Sequence, residues 1–406
     1  MRPAVLYVTY DGVLEPLGES QVVNYLEGLA PSCAITLLSF EKPADRADAS
    51  RMAAMRARLD TAGIAWIALA YHKRPPVLST ARDVFAGIRH GRRVVRAGAT
   101  IVHARGYVPS LIALGVRGSR AKFLFDMRGF WVDEKVEAGH WPRGGWLARV
   151  GKFWERRFFA AADGIVSLTA AGVRAFSELG VTMRPGVPVD VIPTCADLTR
   201  FSGGPKDTAL AAELGLAGRR VIGCAGTMEN WYLRREMLAG LAAIVASAPD
   251  WHALIVTRDD HDRLRADLSA AGVPAARVTL TRASFAEMPR YLRLCDAALF
   301  FITPTFSKRG SAATKLAEFL GCGVPVVIND GVGDSGTLVR DARVGVVLSA
   351  LDAASIAAMP RALETVLADA AVADRCRCTA EAHFDLATGV EKYRALYQRL
   401  LEPAAP

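Results

Sequence analysis

The 406 residues of this chain exceed what one hydrophobic core holds, since single cores stop growing at roughly 250–300 residues, and we expect two domains. Hydrophobic residues form 51% of the sequence, which excludes a disordered chain, and no stretch reaches the ~18 uninterrupted apolar residues of a membrane span. The net charge of +9 favours an anionic partner, either phosphates or an anionic membrane surface, over nucleic acid, because the sequence has no Cys/His finger and no long Lys/Arg tract.

The N-terminus and the cysteines predict a cytoplasmic protein. Residues 1–10 lack the long apolar run and the cleavage site of a secretion signal. The seven cysteines form no CxxC pair, which predicts free thiols in a reducing compartment and no structural zinc. We therefore expect no bound metal and no other cofactor.

Short β-branched runs alternate with amphipathic stretches along the first half, which predicts strands separated by helices. The predicted strands are residues 5–9, 34–40, 64–68, 100–104, 122–126, 164–168 and 189–192. The predicted helices are residues 20–30, 45–62, 80–97 and 146–162. This alternation predicts a parallel sheet with helices on both faces.

The second half repeats the pattern after a segment without periodicity, residues 194–207, where we place a hinge. Its predicted strands are residues 221–225, 252–257, 278–281, 297–302, 324–328 and 345–348. Its predicted helices are residues 234–248, 260–271, 285–294, 314–321 and 353–369, with a last one over about 387–400. The fold class is therefore α/β, with two doubly wound Rossmann-like domains facing a central cleft, and ligands are expected in the loops that follow the strands.

One segment of the second half carries the strongest signal for ligand binding. It reads FFITPTFSKRGSAATKLAEFLGCGVPVVINDGVG over residues 300–333, a buried strand, a polar loop and a helix that starts near Ala313 or Thr314. A helix N-terminus presents unpaired N–H groups and a partial positive charge, which suit a phosphate. Further charges and hydroxyl donors come from Lys308, Arg309, Ser311, Thr314 and Lys315.

Glu318 lies one turn beyond Thr314 on the same helix face. A carboxylate only accepts hydrogen bonds, and in this place it can hold ribose hydroxyls. The alternative for the whole segment is a solvated basic loop followed by a surface carboxylate.

Three passages together resemble the GT-B-fold glycosyltransferases, specifically the retaining family 4 type. VIPTCAD over residues 191–197, followed by Phe201, is similar to the family's interdomain signature VIPNGVD…F. KLAEFLGCGVPVV over residues 315–327 is similar to LEAMACGKPVV, and YDGVLEPLGESQV resembles the N-terminal glycine loop. The resemblance covers nearly the whole chain. It implies an acceptor-side domain over residues 1–197, a nucleotide-sugar-binding domain over 198–383 and a helix over 384–406 that packs back on the first domain.

The resemblance assigns donor-binding roles to the second domain. Glu318 matches the second glutamate of the family's E-x7-E motif, which binds the nucleotide ribose, whereas the first glutamate, which contacts the donor sugar, is replaced by Gly310. The loop after the first strand of this domain contains Gly226 and Thr227, and a glycine there lets the backbone approach a phosphate. Arg258 ends the next strand and is a candidate phosphate ligand. An ordinary strand-to-helix turn is the alternative for the loop at Gly226.

In the first domain, the resemblance implies that the Gly18 region approaches the donor phosphate or sugar. His103 and Arg105 end one strand, and Asp126 and Arg128 end the next. Family members commonly place a histidine near the transferred sugar, and that role falls either on His103 or on Arg128 with Asp126. The arginines would stabilise charge on the leaving diphosphate. A structural role is the alternative for His103.

Residues 130–159 combine four tryptophans with several basic side chains. Such a helix suits an anionic membrane surface, and a peripheral membrane contact is therefore one interpretation. The favoured alternative is that Leu147, Val150, Trp154 and Phe158 pack in the core while the arginines face water.

The resulting expectation is a metal-independent, retaining glycosyltransferase that moves a sugar from a nucleotide-sugar donor to a glycan, a lipid-linked or a small-molecule acceptor. A typical setting of this family is polysaccharide or glycolipid assembly. Two other interpretations stay open: a nucleotide-sugar epimerase, which needs no acceptor, and a non-catalytic partner subunit with the same fold, which the glycine at position 310 supports.

Overall fold

The computed structural model describes residues 2–118 and 121–402, which form two compact units. The first unit comprises Met1–Pro193, Arg309–Ser311 and Leu386–Pro406, and the second comprises Thr194–Lys308 and Ala312–Asp385. Each unit is built around one parallel sheet.

The first unit has a seven-stranded sheet in the order β3-β2-β1-β4-β5-β6-β7, with every neighbouring pair parallel. Its strands are β1 (Ala4–Thr9), β2 (Ala34–Glu41), β3 (Ala65–Ala70), β4 (Ile101–Arg105), β5 (Lys122–Asp126), β6 (Gly164–Ser167) and β7 (Val189–Val191). Its helices are α1 (Pro16–Gly18), α2 (Asn24–Leu29), α3 (Pro43–Ala47), α4 (Ala49–Thr61), α5 (Pro76–Arg96), α6 (Tyr107–Val116), α7 (Trp131–Glu137), α8 (Trp146–Ala161), α9 (Ala170–Arg174) and, at the end of the chain, α18 (Leu386–Leu401).

The second unit has a six-stranded parallel sheet in the order β10-β9-β8-β11-β12-β13. Its strands are β8 (Arg220–Ala225), β9 (Trp251–Val256), β10 (Val278–Thr281), β11 (Ala297–Phe300), β12 (Val326–Asn329) and β13 (Gly345–Leu348). Its helices are α10 (Thr208–Glu213), α11 (Arg234–Ser247), α12 (His261–Ala270), α13 (Met288–Leu292), α14 (Thr314–Gly321), α15 (Ser335–Ala342), α16 (Ala353–Leu367) and α17 (Val372–Phe384).

Local sequence explains where these elements lie. Strands such as β4 and β9 are buried along their whole length, as expected for parallel strands covered by helices on both faces. Several helices begin at an aspartate whose carboxylate accepts hydrogen bonds from the first backbone N–H groups. These N-caps are Asp48, Asp207, Asp260 and Asp352. The strands within residues 2–118 and 121–402 form two parallel sheets of the doubly wound type, which confirms the predicted fold class.

The order of the strands defines where a ligand is expected in each sheet. In the first unit the order reverses between β1 and β4, and in the second it reverses between β8 and β11. Crevices outside the carboxyl ends of the strands at such a reversal are the usual binding places of doubly wound sheets. A ligand is therefore expected at the loops that follow β1, β4, β8 and β11.

The packing of α8 corrects one expectation from the sequence. Phe158 is buried, but Val150 is exposed, and so are Trp146 and Phe153 on the same helix. The prediction that Val150 belongs to the core is therefore wrong. A period-3.6 pattern identifies an apolar stripe but not what covers it.

Candidate functional site

A buried polar cluster lies at the carboxyl ends of β4 and β5 in the first unit. Strand pairing places Arg105 opposite Asp126, and His103 lies two residues earlier on the same strand face. His103 and Asp126 are each only 1% exposed. The imidazole Nε2 lies 3.3 Å from Asp126 Oδ2, and Nδ1 lies 2.6 Å from the Tyr397 hydroxyl. Both ring nitrogens of His103 are thus engaged inside the protein.

The electrostatics of this cluster keep Asp126 ionised. Burial raises the pKa of this carboxyl group, but the Arg128 guanidinium and His103 outweigh that effect and lower it below its usual value. Burial lowers the pKa of His103, and a neutral imidazole is consistent with donation from Nε2–H to Oδ2. Tyr393 donates a second hydrogen bond to Oδ2 over 3.0 Å, and Arg128 Nη1 lies 3.8 Å from Oδ1.

Arg128 itself has an unusual backbone. Its φ is +58°, in the left-handed region, and Gly129 follows with a φ of +122°. A non-glycine residue in this region is uncommon and is often found at functional sites. Arg105 points elsewhere: its guanidinium donates a hydrogen bond to Asp11 Oδ2, in the loop after β1.

Gly18 is required by the close packing of that loop. A Cβ at position 18 would lie 2.1 Å from the Gly12 carbonyl oxygen, so no other residue fits without a backbone shift. The loop is also held by Glu41, whose buried carboxylate accepts hydrogen bonds from the N–H groups of Val13 and Leu14. In this structure Gly18 therefore shapes the loop, and its backbone is buried.

In the second unit, Lys315 and Glu318 lie on the first turns of α14. Lys315 Nζ donates a hydrogen bond to the Thr227 carbonyl oxygen over 3.2 Å and lies 3.6 Å from the ring centroid of Tyr232. Gly226 has a φ of +78°, and a Cβ there would lie 3.3 Å from Lys315 Cε. The loop after β8 and the start of α14 are thus in direct contact.

Burial shifts the pKa values of Lys315 and Glu318 in the directions that favour their uncharged forms. It lowers the pKa of Lys315 to about 8. It raises the pKa of Glu318 to about 7, although Lys315 and Arg200 act in the opposite direction. Side chains with shifted pKa values in a ligand crevice are typical of functional sites.

The remaining candidates of the polar loop have different surroundings. Residues 306–310 form a short 3-10 helix, and α14 begins at Thr314 as predicted. Lys308 is buried, with Nζ 3.8 Å from the ring centroid of Trp231 in the second unit. Arg309 forms an ion pair of 2.8 Å with Glu178 in the first unit. These two neighbouring cations therefore do not form one phosphate clamp in this structure.

Close packing in the first unit explains why position 310 is a glycine. A Cβ at this position would lie 3.2 Å from the ring of Phe130 and 3.3 Å from Gly129 Cα. Ser311 follows and is half-buried. A carboxylate side chain at position 310 would therefore displace the Phe130 ring.

Arg258 is the remaining donor candidate predicted from the sequence. Arg258 is exposed directly after β9, in a position where its side chain is accessible to a ligand. Arg234, by contrast, forms ion pairs with Glu229 and Asp267, and its charge is locally balanced.

The sequence did not indicate several residues that complete these clusters. Tyr393 and Tyr397 come from α18, almost 300 residues after His103, and read as core positions of an amphipathic helix. Trp231 and Tyr232, which flank the two lysines of the second unit, follow Gly226 in a loop without periodicity. Only their aromatic character in a glycine-containing loop offered a signal.

Family models match both halves of the chain. Residues 19–195 match the family described as "Glycosyl transferase 4-like domain", and residues 219–369 match the family described as "Glycosyl transferases group 1". A D-inositol 3-phosphate glycosyltransferase of Nocardia farcinica is 30% identical over 207 residues, which span 48% of this chain but only 43% of that relative. The sequence similarity therefore covers less than half of this relative.

Solved structures with similar folds cover nearly the whole chain. The Anabaena protein HepE in complex with UDP and glucose has a TM-score of 0.69 and 16% identity, over 97% of this chain and 99% of HepE. Sucrose-phosphate synthase of Thermosynechococcus elongatus has a TM-score of 0.73 and 14% identity, over 98% and 99% of the two chains. At these identities the likeness shows the fold, which is that of the GT-B glycosyltransferases. Residues 19–195 therefore form a glycosyl transferase 4-like domain and residues 219–369 a glycosyl transferases group 1 domain, which identifies the chain as a glycosyltransferase.

Proposed function

We propose that this glycosyltransferase moves a sugar from a nucleotide-sugar donor to a hydroxyl group of an acceptor. The observation that carries the proposal is the contact of Lys315 with the Gly226–Thr227 loop, with Glu318 one turn further along α14, at the strand reversal of the second sheet. A cation and a helix N-terminus suit a diphosphate, and the carboxylate suits the ribose hydroxyls.

In the proposed reaction, the acceptor oxygen forms a bond to the anomeric carbon while the bond from that carbon to the donor phosphate breaks. The hydroxyl proton leaves with the nucleoside diphosphate, and the configuration is retained. Lys315 and the N-terminus of α14 stabilise the departing negative charge, with Arg258 and Lys308 as further candidates, so the proposal invokes no metal. Thr314 and Ser311 are proposed as hydroxyl donors, and Gly18 as the residue that shapes its loop.

For the first unit, we assign the charge-stabilising role to Arg105 and Arg128. His103 and Asp126 act through Arg128 in this proposal, because Asp126 contacts Arg128 and both His103 nitrogens have partners. Arg309, paired with Glu178, supports the loop that contains Gly310.

The donor site is tested by thermal unfolding in the presence of UDP-, GDP-, ADP- and dTDP-sugars. A ligand at about 100 times its dissociation constant stabilises a protein by about 2.7 kcal/mol, which raises Tm by roughly 5–10 °C for a domain of this size. We expect one nucleotide family to give this shift and Glu318→Ala to abolish it. The absence of a shift with every donor would favour a non-catalytic partner subunit, and turnover of the donor sugar without an acceptor would favour an epimerase.

We also propose a peripheral contact with an anionic membrane through helices α5 and α8. Six of the eight large apolar side chains that are exposed within the described residues lie on these two helices. They are Val77, Leu78, Phe85, Trp146, Val150 and Phe153. Exposed apolar residues flanked by cations suit the surface of an anionic bilayer. We call this surface the α5–α8 face.

The charges of the α5–α8 face have one sign. Its exposed charged residues are all arginines, namely Arg82, Arg89, Arg92, Arg93, Arg96, Arg149, Arg156 and Arg157. The two acidic residues of these helices, Asp83 and Glu155, are buried and accept hydrogen bonds from Tyr10 and Tyr107. Among residues 2–118 and 121–402, no helix combines the length and the apolarity that crossing a membrane requires.

Vesicle sedimentation tests this contact. We expect binding to vesicles of phosphatidylglycerol and phosphatidylcholine but not to phosphatidylcholine alone. Arg149→Glu with Arg156→Glu should weaken binding at least 25-fold, because each basic residue near an anionic surface contributes about 1 kcal/mol. Arg282→Glu with Arg263→Glu, two exposed sites on the second unit, makes the same change in net charge and should have little effect. Equal losses in both variants would mean that net charge alone, not this face, attracts the protein.

A further inference from the structure

Helix α6 is unusual in having no charged residue. It reads YVPSLIALGV, and one side packs in the core through Ile112, Ala113 and Val116. The opposite side carries Val108, Leu111 and Leu114, which are half-buried and line a groove. A surface helix normally turns polar side chains outwards. In α6 the outward side is apolar as well.

Helices α5 and α8 form the walls of this groove with apolar stripes. On α5, Val77, Ala81, Val84, Phe85 and Ile88 recur at helical spacing and line one wall. Helix α5 lies very close to α6, because a Cβ on Gly87 would be 2.5 Å from Ile112 Cδ1. The α5 wall is therefore packed directly against the floor helix α6.

The wall on the other side comes from α8 and the preceding segment. It is lined by Leu147, Val150, Trp154 and Phe158, together with Trp141. The groove has a volume of about 1730 Å³, larger than the roughly 300–1,000 Å³ of ordinary small-molecule sites. Apolar side chains dominate the floor and the two walls, and the polar members of the lining in this part include Thr80, Arg117 and Arg157. Such a predominantly apolar surface suits an extended hydrocarbon chain.

One end of the groove is polar. It reaches the carboxyl ends of β1, β2 and β3, where it is lined by Asp11, Lys42, His72 and Lys73. Asp11 is the residue that accepts a hydrogen bond from Arg105. The groove therefore connects the candidate site of the first unit with the apolar surface of the α5–α8 face.

We infer that this groove binds the hydrocarbon chain of an amphiphilic acceptor, whose hydroxyl-bearing head lies at the polar end near Asp11. The inference rests on the proposed function and names the substrate class, a lipid-linked acceptor. The polar-to-apolar continuity supports it, because one molecule with a polar head and an apolar tail matches the groove along its length. A second copy of the chain is a poor occupant, because pairing two α5–α8 faces would bring arginines of like charge together.

The test uses alkyl β-glucosides as probes, with chains of six to twelve carbons, below their critical micelle concentrations. Binding is measured by calorimetry and by the fluorescence of the groove tryptophans. We expect affinity to rise roughly fourfold for each added methylene group, the factor that corresponds to burial of one CH₂. Methyl β-glucoside, which has the head alone, should bind weakly. Affinity that does not depend on chain length would overturn the inference.

Two variants locate the binding. Leu111→Gln, at the floor of the groove, should reduce the affinity for dodecyl β-glucoside at least tenfold. Leu78→Gln changes a leucine of α5 that is 70% exposed and outside the groove lining, and it should leave the affinity unchanged. Leu114→Gln repeats the floor test should Leu111→Gln lower the expression or the Tm of the protein. Equal loss in floor variants and in Leu78→Gln would contradict a specific groove.

Other outcomes separate the possible occupants. Binding to anionic vesicles without binding of monomeric glucosides would overturn the groove site and leave only a surface contact. A dimer in sedimentation that Leu111→Gln dissolves would assign the groove to a second copy. Because the probes carry no nucleotide, chain-length dependence without any nucleotide-induced shift in Tm would refute the donor proposal and leave the groove standing. A nucleotide-induced shift in Tm without chain-length dependence of glucoside binding would refute the groove and leave the donor proposal standing.

Discussion

Asp126→Asn is expected to destabilise the first unit by roughly 3–5 kcal/mol, the usual cost of breaking a buried ion pair from one side. Asparagine has almost the same shape but removes the negative charge, and Arg128 then loses the carboxylate whose Oδ1 lies 3.8 Å from its Nη1. Burial and the missing counter-charge together act against the ionised guanidinium. The measurement is chemical denaturation at pH 7, followed by a signal from the first unit.

Tyr393→Phe is the matched control for this prediction. It removes only the hydroxyl that donates to Asp126 Oδ2 and should cost roughly 1.5–3 kcal/mol, typical of a hydrogen bond to a charged group. The difference in the free energy of unfolding between wild type and Asp126→Asn should become smaller at acidic pH. The folded pKa of Asp126 is lowered, so its stabilisation is present above the unfolded pKa of about 4 and is lost as the pH falls through the folded value. An effect of Asp126→Asn below 1 kcal/mol would show that the cluster contributes little to stability.

The sequence predicted the strands well because both sheets are parallel and buried on both faces. Such strands are short continuous apolar runs bounded by turn residues, and β4 and β9 are clear examples. The start of α14 was also predictable, since the polar loop that ends before Thr314 precedes a regular amphipathic pattern. In these places local sequence and tertiary structure favour the same conformation.

Helix α6 was missed for the opposite reason. Its ten residues are apolar on every side, so no 3.6-residue period distinguishes them from a loop or a buried strand. The buried partners of Asp126 could not be predicted either. Tyr393 lies 267 residues away, and nothing in its local sequence indicates that its hydroxyl donates a hydrogen bond to a carboxylate. The side chains of Lys308 and Arg309 have different partners because the two residues lie in a 3-10 helix. The pattern of charges in the sequence does not reveal such a helix.

Lys315→Met and Glu318→Gln are expected to impair donor binding in distinguishable ways. Methionine ends at Cε and so keeps most of the aliphatic part of Lys315, but it removes the charged Nζ. Affinity for the nucleotide sugar should therefore fall about ten- to hundredfold while affinity for the free nucleoside stays nearly unchanged. Glu318→Gln should lower the affinity for both the nucleotide sugar and the free nucleoside. It should have little effect on the affinity for the 2′,3′-dideoxynucleoside diphosphate, which lacks the hydroxyls assigned to this carboxylate. Loss of nucleoside binding in Lys315→Met would instead indicate that the loop of Gly226 had moved.

The pH dependence of binding separates the same two roles without assuming equal folding of the variants. Glu318 accepts ribose hydrogen bonds best when ionised, above its pKa of about 7, and Lys315 attracts the diphosphate when protonated, below its pKa of about 8. Wild-type affinity should therefore be highest between about pH 7 and 8 and decrease on both sides. A nucleotide sugar is the suitable ligand for calorimetry, because its doubly esterified diphosphate does not titrate in this range. Glu318→Gln should remove the acidic limb and Lys315→Met the basic limb, and a profile that keeps both limbs in either variant would assign the titrations to other groups.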